Sequence, residues 1–243
     1  MGIHIGTSGW SYAHWDHVLY PPGTPPWERL GHYVQRFDTV ELNSSFYRWP
    51  RPAAFASWRR RLPNGFLLSV KAPRGLTHGK RLSAPEEWVD RIAACWHELG
   101  STRAVLLVQL SPHHERDDAR LGYFLHRLPP WIRVAVELRH PSWVDDRVFG
   151  LLAEHGAGYC VMSGAGLPCV LRATGPDVYV RLHGPDQQYL YGGSYPDGDL
   201  RWWTDRIGEW QASGKEVFVY FNNDGDGNAV RNARRLRDLL AGV

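Results

Sequence analysis

Val178-Tyr179-Val180-Arg181-Leu182-His183-Gly184 reads as a β-strand of aromatic and β-branched residues that ends on two basic side chains. Strand alternation puts Arg181 and His183 on one face and Val180 and Leu182 on the other. An arginine inside so apolar a run is costly unless it is paired or working. Moving outward, the same construction recurs in Ile3–Ser8, Thr39–Ser44, Phe66–Lys71, Ala104–Leu110, Arg133–Leu138, Gly158–Ser163 and Val217–Asn222. Helical patterns separate these runs, near Pro26–Phe37, Ala53–Arg61, Pro85–Leu99, Asp117–Leu128, Asp145–His155, Leu200–Ala212 and Ala229–Leu240. Asp145 and Asp199 are the expected N-caps of their helices.

Repeated βα units without a composition break predict one α/β domain over residues 1–243, a (β/α)8 barrel of the TIM type. Gly164–Pro176 is rich in glycine and proline, so the sixth helix is expected to be short or missing. A doubly wound open sheet is the structural alternative. A chain of 243 residues buries roughly three-quarters of its unfolded surface and needs no staples.

In a barrel of this kind the residues at the carboxyl ends of the strands form the active face. Strand one then offers Trp10, strand two Glu41, Asn43 and Tyr47, and strand three Lys71, Arg74 and His78. Strand four offers Gln109, strand five Glu137 and Arg139, strand seven Arg181 and His183, and strand eight Tyr220, Asn222 and Asp224. Ionisable groups at the same end of five otherwise apolar strands are the main functional signal in the chain.

Composition narrows the setting. The net charge of +3 is too mild to imply a nucleic-acid partner by itself. The three cysteines match no zinc spacing and read as reduced, packed thiols. No apolar run reaches the ~18–20 residues of a membrane span, and no signal region precedes the first strand, so a cytoplasmic protein is expected. Twelve tryptophans are unusual, and those beside strand ends could wall a ligand pocket.

The motifs themselves are recognisable. The chain resembles the YecE-like family, domain of unknown function 72. The likeness runs through Ile5-Gly6-Thr7-Ser8-Gly9-Trp10, Val40-Glu41-Leu42-Asn43-Ser44-Ser45-Phe46-Tyr47, and Ser69-Val70-Lys71-Ala72-Pro73-Arg74 with Thr77-His78. It continues through Glu137-Leu138-Arg139-His140-Pro141-Ser142-Trp143, Tyr179-Val180-Arg181-Leu182-His183-Gly184 and Tyr220-Phe221-Asn222-Asn223-Asp224. The resemblance implies a TIM-type barrel and supplies no reaction. Gln109-Leu110-Ser111-Pro112 departs from the two prolines that members usually carry after Gln-Leu.

The residue types suggest acid–base chemistry on a phosphorylated or otherwise anionic substrate, as in a hydrolase or lyase, with nucleic acid as a wider partner class. Glu41 or Glu137 would move the proton, His183 would be a second carrier, and Lys71, Arg139 and Arg181 would hold the anion. Lys71 could also act as an amine nucleophile, or simply pair with one of the glutamates. Asn43, Gln109 and Asn222 would orient the ligand, and the glycine-rich turn Asn223–Asn228 could present backbone amides to phosphate. No cofactor is firmly implied. The carboxylates and histidines admit a divalent metal, as in an endonuclease- or isomerase-like barrel, but the interleaved cations oppose one. A glycosidase pair formed by the two glutamates and a non-catalytic small-anion-binding barrel complete the alternatives. Oligomeric state is not legible.

Overall fold

The computed structural model describes residues 2–242; Met1 and Val243, the ends of the expected domain, lie outside them. Eight parallel strands form a nearly closed barrel: β1 (Ile3–Thr7), β2 (Thr39–Leu42), β3 (Leu67–Lys71), β4 (Arg103–Gln109), β5 (Val134–Glu137), β6 (Gly158–Ser163), β7 (Asp177–Leu182) and β8 (Glu216–Phe221). Their order around the sheet is β1-β8-β7-β6-β5-β4-β3-β2. The helices are α1 (Pro26–Tyr33), α2 (Pro52–Arg61), α3 (Glu86–Leu99), α4 (Asp118–Arg127), α5 (Asp146–Glu154), α6 (Asp197–Ala212) and α7 (Asn228–Ala241). None is long and apolar enough to cross a membrane.

The chain passes from β6 to β7 without a helix, as the glycines and prolines of that stretch predict. Asp145 caps α5 by accepting from the Arg147 N–H at 2.8 Å. Asp199 does not cap α6: the helix begins two residues earlier behind Pro196, whose fixed φ suits the entry, and Asp199 falls in the first turn.

The seam between β1 and β2 closes by a side chain. Tyr33 of α1 accepts from the Thr7 N–H (3.0 Å) and donates to the Thr39 carbonyl (3.0 Å), joining the two strands through one phenol. Beyond it Ser8 bridges Glu41, and the Gly9 N–H donates to the Glu41 carbonyl at 2.8 Å. Gly6 is needed here, since a Cβ would stand 2.3 Å from the Thr39 carbonyl oxygen.

Period-two alternation then separates two cores. Outward-facing strand residues such as Val70, Val108, Val136 and Val180 pack against the helices. Inward-facing Val105, Leu107, Ala135, Cys160, Tyr179, Phe218 and Tyr220 form a second cluster inside the barrel. Following those inward faces toward the strand ends leads from Leu107 to Gln109, from Ala135 to Glu137, from Tyr179 to Arg181, and from Tyr220 to Asn222. The polar mouth is therefore the top layer of the barrel's own interior.

Candidate active site

Arg181 is the centre of that layer. It is fully buried, and its planar fork joins both glutamates. Nε donates to Glu41 Oε2 (3.0 Å), one terminal nitrogen to Glu41 Oε1 (2.8 Å), and the other to Glu137 Oε2 (2.6 Å). Glu41 also accepts from the Ser8 hydroxyl (2.5 Å) and from the Tyr179 hydroxyl (2.7 Å), so both of its oxygens are doubly used. Arg139 Nε donates to Glu137 Oε1 at 2.6 Å.

This geometry corrects the roles read from the sequence. Glu41 and Glu137 are 0% exposed and locked to arginine, so neither offers a substrate a free carboxylate edge. Burial alone would raise the Glu137 carboxyl, but Arg139 and Arg181 beside it hold it well below the usual carboxylate range. It is a weak base. Nor do the two flank an open space, as a glycosidase pair would; the guanidinium of Arg181 fills the gap. Arg181 is correspondingly spent as an anion binder. Among the described residues no group of three or more His, Cys, Asp or Glu has a geometry that could hold a metal.

Lys71 behaves differently. It is 7% exposed, yet its ammonium has no carboxylate within 4.0 Å and no hydrogen bond to another described residue. Instead Nζ lies 4.3 Å from the centre of the Phe46 ring. Burial, and then the neighbouring Arg181, pull its pKa down to about 7. The expected ion pair with Glu41 or Glu137 does not form, because Arg181 and Arg139 have already claimed those oxygens.

His183 is also fully buried. Its Nδ1 faces the Asn222 amide nitrogen at 3.1 Å, which leaves the proton on Nε2. Nε2 stands 4.0 Å from Glu137 Oε1 and makes no hydrogen bond. Burial first and Arg181 second push the imidazole well below its ordinary pKa, so it is a neutral donor and not an imidazolium acid. Asn43 Oδ1 and Gln109 Oε1 are likewise buried acceptors without donors. His78 is driven down to about 4 by burial and by Lys71, Arg74 and Arg139, in that order. Arg74 has no carboxylate partner among the described residues.

Other expected residues fall elsewhere. Tyr220 sits one layer deeper, fully buried, with its hydroxyl 2.6 Å from Thr39 Oγ1 and 3.0 Å from Ser69 Oγ; it packs the barrel and does not face a ligand. Asp224 stands beside His14, and its carbonyl accepts from the ring nitrogens of His14 and Trp15. Gly227, just before α7, is buried against Val18, whereas Gly225 and Asp226 of the same turn are exposed. Trp10 and Tyr47 line a cavity next to the mouth.

The sequence reading missed Tyr179 and Tyr191. Tyr179 was detectable as the inward residue two before Arg181. Tyr191 was not: it comes from the loop after β7, packs edge-on to His183 at 5.3 Å, and accepts weakly from Arg139 at 3.4 and 3.5 Å. Gly184 admits this loop, since a Cβ there would meet the Gly192 carbonyl oxygen at 2.1 Å.

Comparison with known proteins gives a consistent answer. The family model described as protein of unknown function DUF72 matches residues 4–242. The UPF0759 protein YunF of Bacillus subtilis is 29% identical over 98% of this chain and 94% of its own length. The UPF0759 protein YecE of Escherichia coli K12 is 27% identical over 58% of this chain and 50% of its own. A DUF72 family crystal structure from Thermotoga maritima superposes with a TM-score of 0.88 at 26% identity, covering 98% of this chain and 99% of that one.

Proposed function

This chain belongs to the DUF72 family, and we propose that it is an enzyme that moves a proton on a small anionic substrate held at the barrel mouth, with Lys71 as the carrier. The observation that carries the reading is an unpaired, nearly buried amine whose neighbouring glutamates are already taken by Arg181 and Arg139, a setting that brings its pKa to about 7. Near neutrality a substantial fraction of that amine is free to accept a proton, which an exposed lysine is not.

Arg74 and the terminal nitrogens of Arg139, engaged only by the long contacts to Tyr191, would hold the anionic group. The neutral Nε2–H of His183 would donate to an oxygen that gains charge as the proton leaves. Gln109 Oε1 and Asn43 Oδ1 would accept from substrate hydroxyl or amino groups. In this scheme Glu41, Glu137 and Arg181 form the rigid frame that keeps a carboxylate from quenching Lys71.

The test is the titration of Lys71, followed as its rate of alkylation against pH and resolved by mass spectrometry with Lys80 and Lys215 as references. Half-maximal reactivity near pH 7 supports the reading. A midpoint in the ordinary lysine range, near 10.4, would remove the base from the scheme.

A further inference from the structure

A cavity of about 440 Å3 opens beside the mouth, between the turn after β1, the start of α1 and the C-terminal half of α2. Its walls are Trp10, Tyr12, Tyr47 and Trp58, with Asn43, Ser44 and Arg61 at its borders. The volume is that of a small-ligand site. Trp10 and Trp58 meet edge to face at 6.1 Å and 81°, which holds each ring by the other. The cavity joins the proposed reaction centre through one short turn, Ser44–Phe46. Ser44 and Tyr47 face the cavity, while the Phe46 ring between them carries Lys71 Nζ at 4.3 Å. Asn43, at the junction, turns a buried Oδ1 that accepts no hydrogen bond.

We infer that this cavity is the ring subsite of the same active site and that the substrate is a nucleotide, its base among Trp10, Tyr47 and Trp58 and its phosphate on Arg74 and Arg139. The inference rests on the anionic-substrate reading above. Flat aromatic walls stack any planar ring. A polyhydroxylated sugar ring would need several acceptors, and no carboxylate borders the cavity. One orphaned amide oxygen suits a single ring or exocyclic N–H. Arg61 is tied to the Trp27 carbonyl at 2.5 Å and so shapes the outer wall.

Calorimetry on the full chain with adenosine 5′-monophosphate, ribose 5-phosphate and adenosine separates the parts. The nucleotide should bind at least about tenfold more tightly than ribose 5-phosphate, and Trp58→Ala should erase that gap while leaving ribose 5-phosphate unchanged. Tyr47→Ala should narrow it; at 77% exposure that residue can be truncated without disturbing the core. Equal affinity for nucleotide and ribose 5-phosphate would overturn the ring subsite and leave the anion reading standing. Equal affinity for nucleotide and adenosine would overturn the anion reading, and with it the nucleotide assignment. No binding of any of the three would overturn both.

Discussion

Each end of the barrel carries an arginine that bridges two carboxylates, and the two constructions differ in every other respect. At the amino-terminal floor, Arg133 binds Asp177 (Nε to Oδ2, 2.6 Å) and Glu216 (2.8 Å), and His4 completes the group at 3.0 Å from Glu216 and 3.8 Å from Asp38. The Arg133 and Glu216 side chains are 33% and 28% exposed, so water shares in solvating them. At the mouth, Arg181, Glu41 and Glu137 are all 0% exposed, and beside them stand an unpaired amine, an unused imidazole N–H and two unused amide oxygens. The floor is a partly solvated network in which each charged side chain has a partner of opposite sign. The mouth is desolvated and deliberately incomplete, which is how a fold sacrifices stability for a reactive group.

The comparison breaks first at the two arginines. Arg181→Met leaves two buried carboxylates without a counter-charge and should cost about 3–5 kcal/mol in urea unfolding. Arg133→Met leaves Glu216 partly hydrated but Asp177 nearly buried, so it should cost less, about 1–3 kcal/mol. Similar losses for the two would mean that burial does not distinguish the ends.

Lys71→Met should act in the opposite direction, raising stability by about 1 kcal/mol or more at pH 6 while abolishing any turnover. A lysine whose folded pKa is lowered to about 7 binds its proton more readily when unfolded, so wild-type stability should climb between about pH 7 and 10. The methionine variant should lose that climb. A melting temperature lowered by the substitution would show the ammonium to be a stabilising partner after all.

The histidines should titrate with opposite signs. His4 has its pKa raised above 6.5: burial would lower it, but Asp38 and Glu216 outweigh that. It therefore contributes stability that is present at low pH and lost as pH rises through the raised value. His183, held well below 6.5, refuses its proton when folded and withdraws stability as pH falls below 6.5. Melting temperatures of His4→Gln and His183→Gln between pH 5 and 8 should diverge from wild type in opposite directions on the acid side.

The smallest effect belongs to Arg74→Ala. Stability should change by no more than about 0.5 kcal/mol, because the residue is exposed and unpaired. Phosphate affinity should nonetheless fall. Unaltered phosphate affinity would take Arg74 out of the anion site.

Much of this was legible in the chain. Strand positions were placed within a residue or two, because buried parallel strands and amphipathic helices carry different periods. Period two also fixed which residues look into the barrel, hence the shared face of Glu41 and Asn43, of Arg181 and His183, and of Tyr220 and Asn222. It did not fix depth. Tyr220 looked like a neighbour of Asn222 and is a floor beneath it, because the layer a residue occupies depends on strand stagger.

What the sequence determined alone was the inventory: a barrel, and cations and carboxylates at one end of its strands. What only the tertiary structure decided was the pairing among them. Arg181 reaches Glu41 across 140 residues of chain and Glu137 across 44, and in taking both it leaves Lys71 alone. Alternation acts within a strand, so it dictates which side chains turn inward. Which charges meet is settled by distances across the closed barrel, and a buried charge answers to its nearest partners.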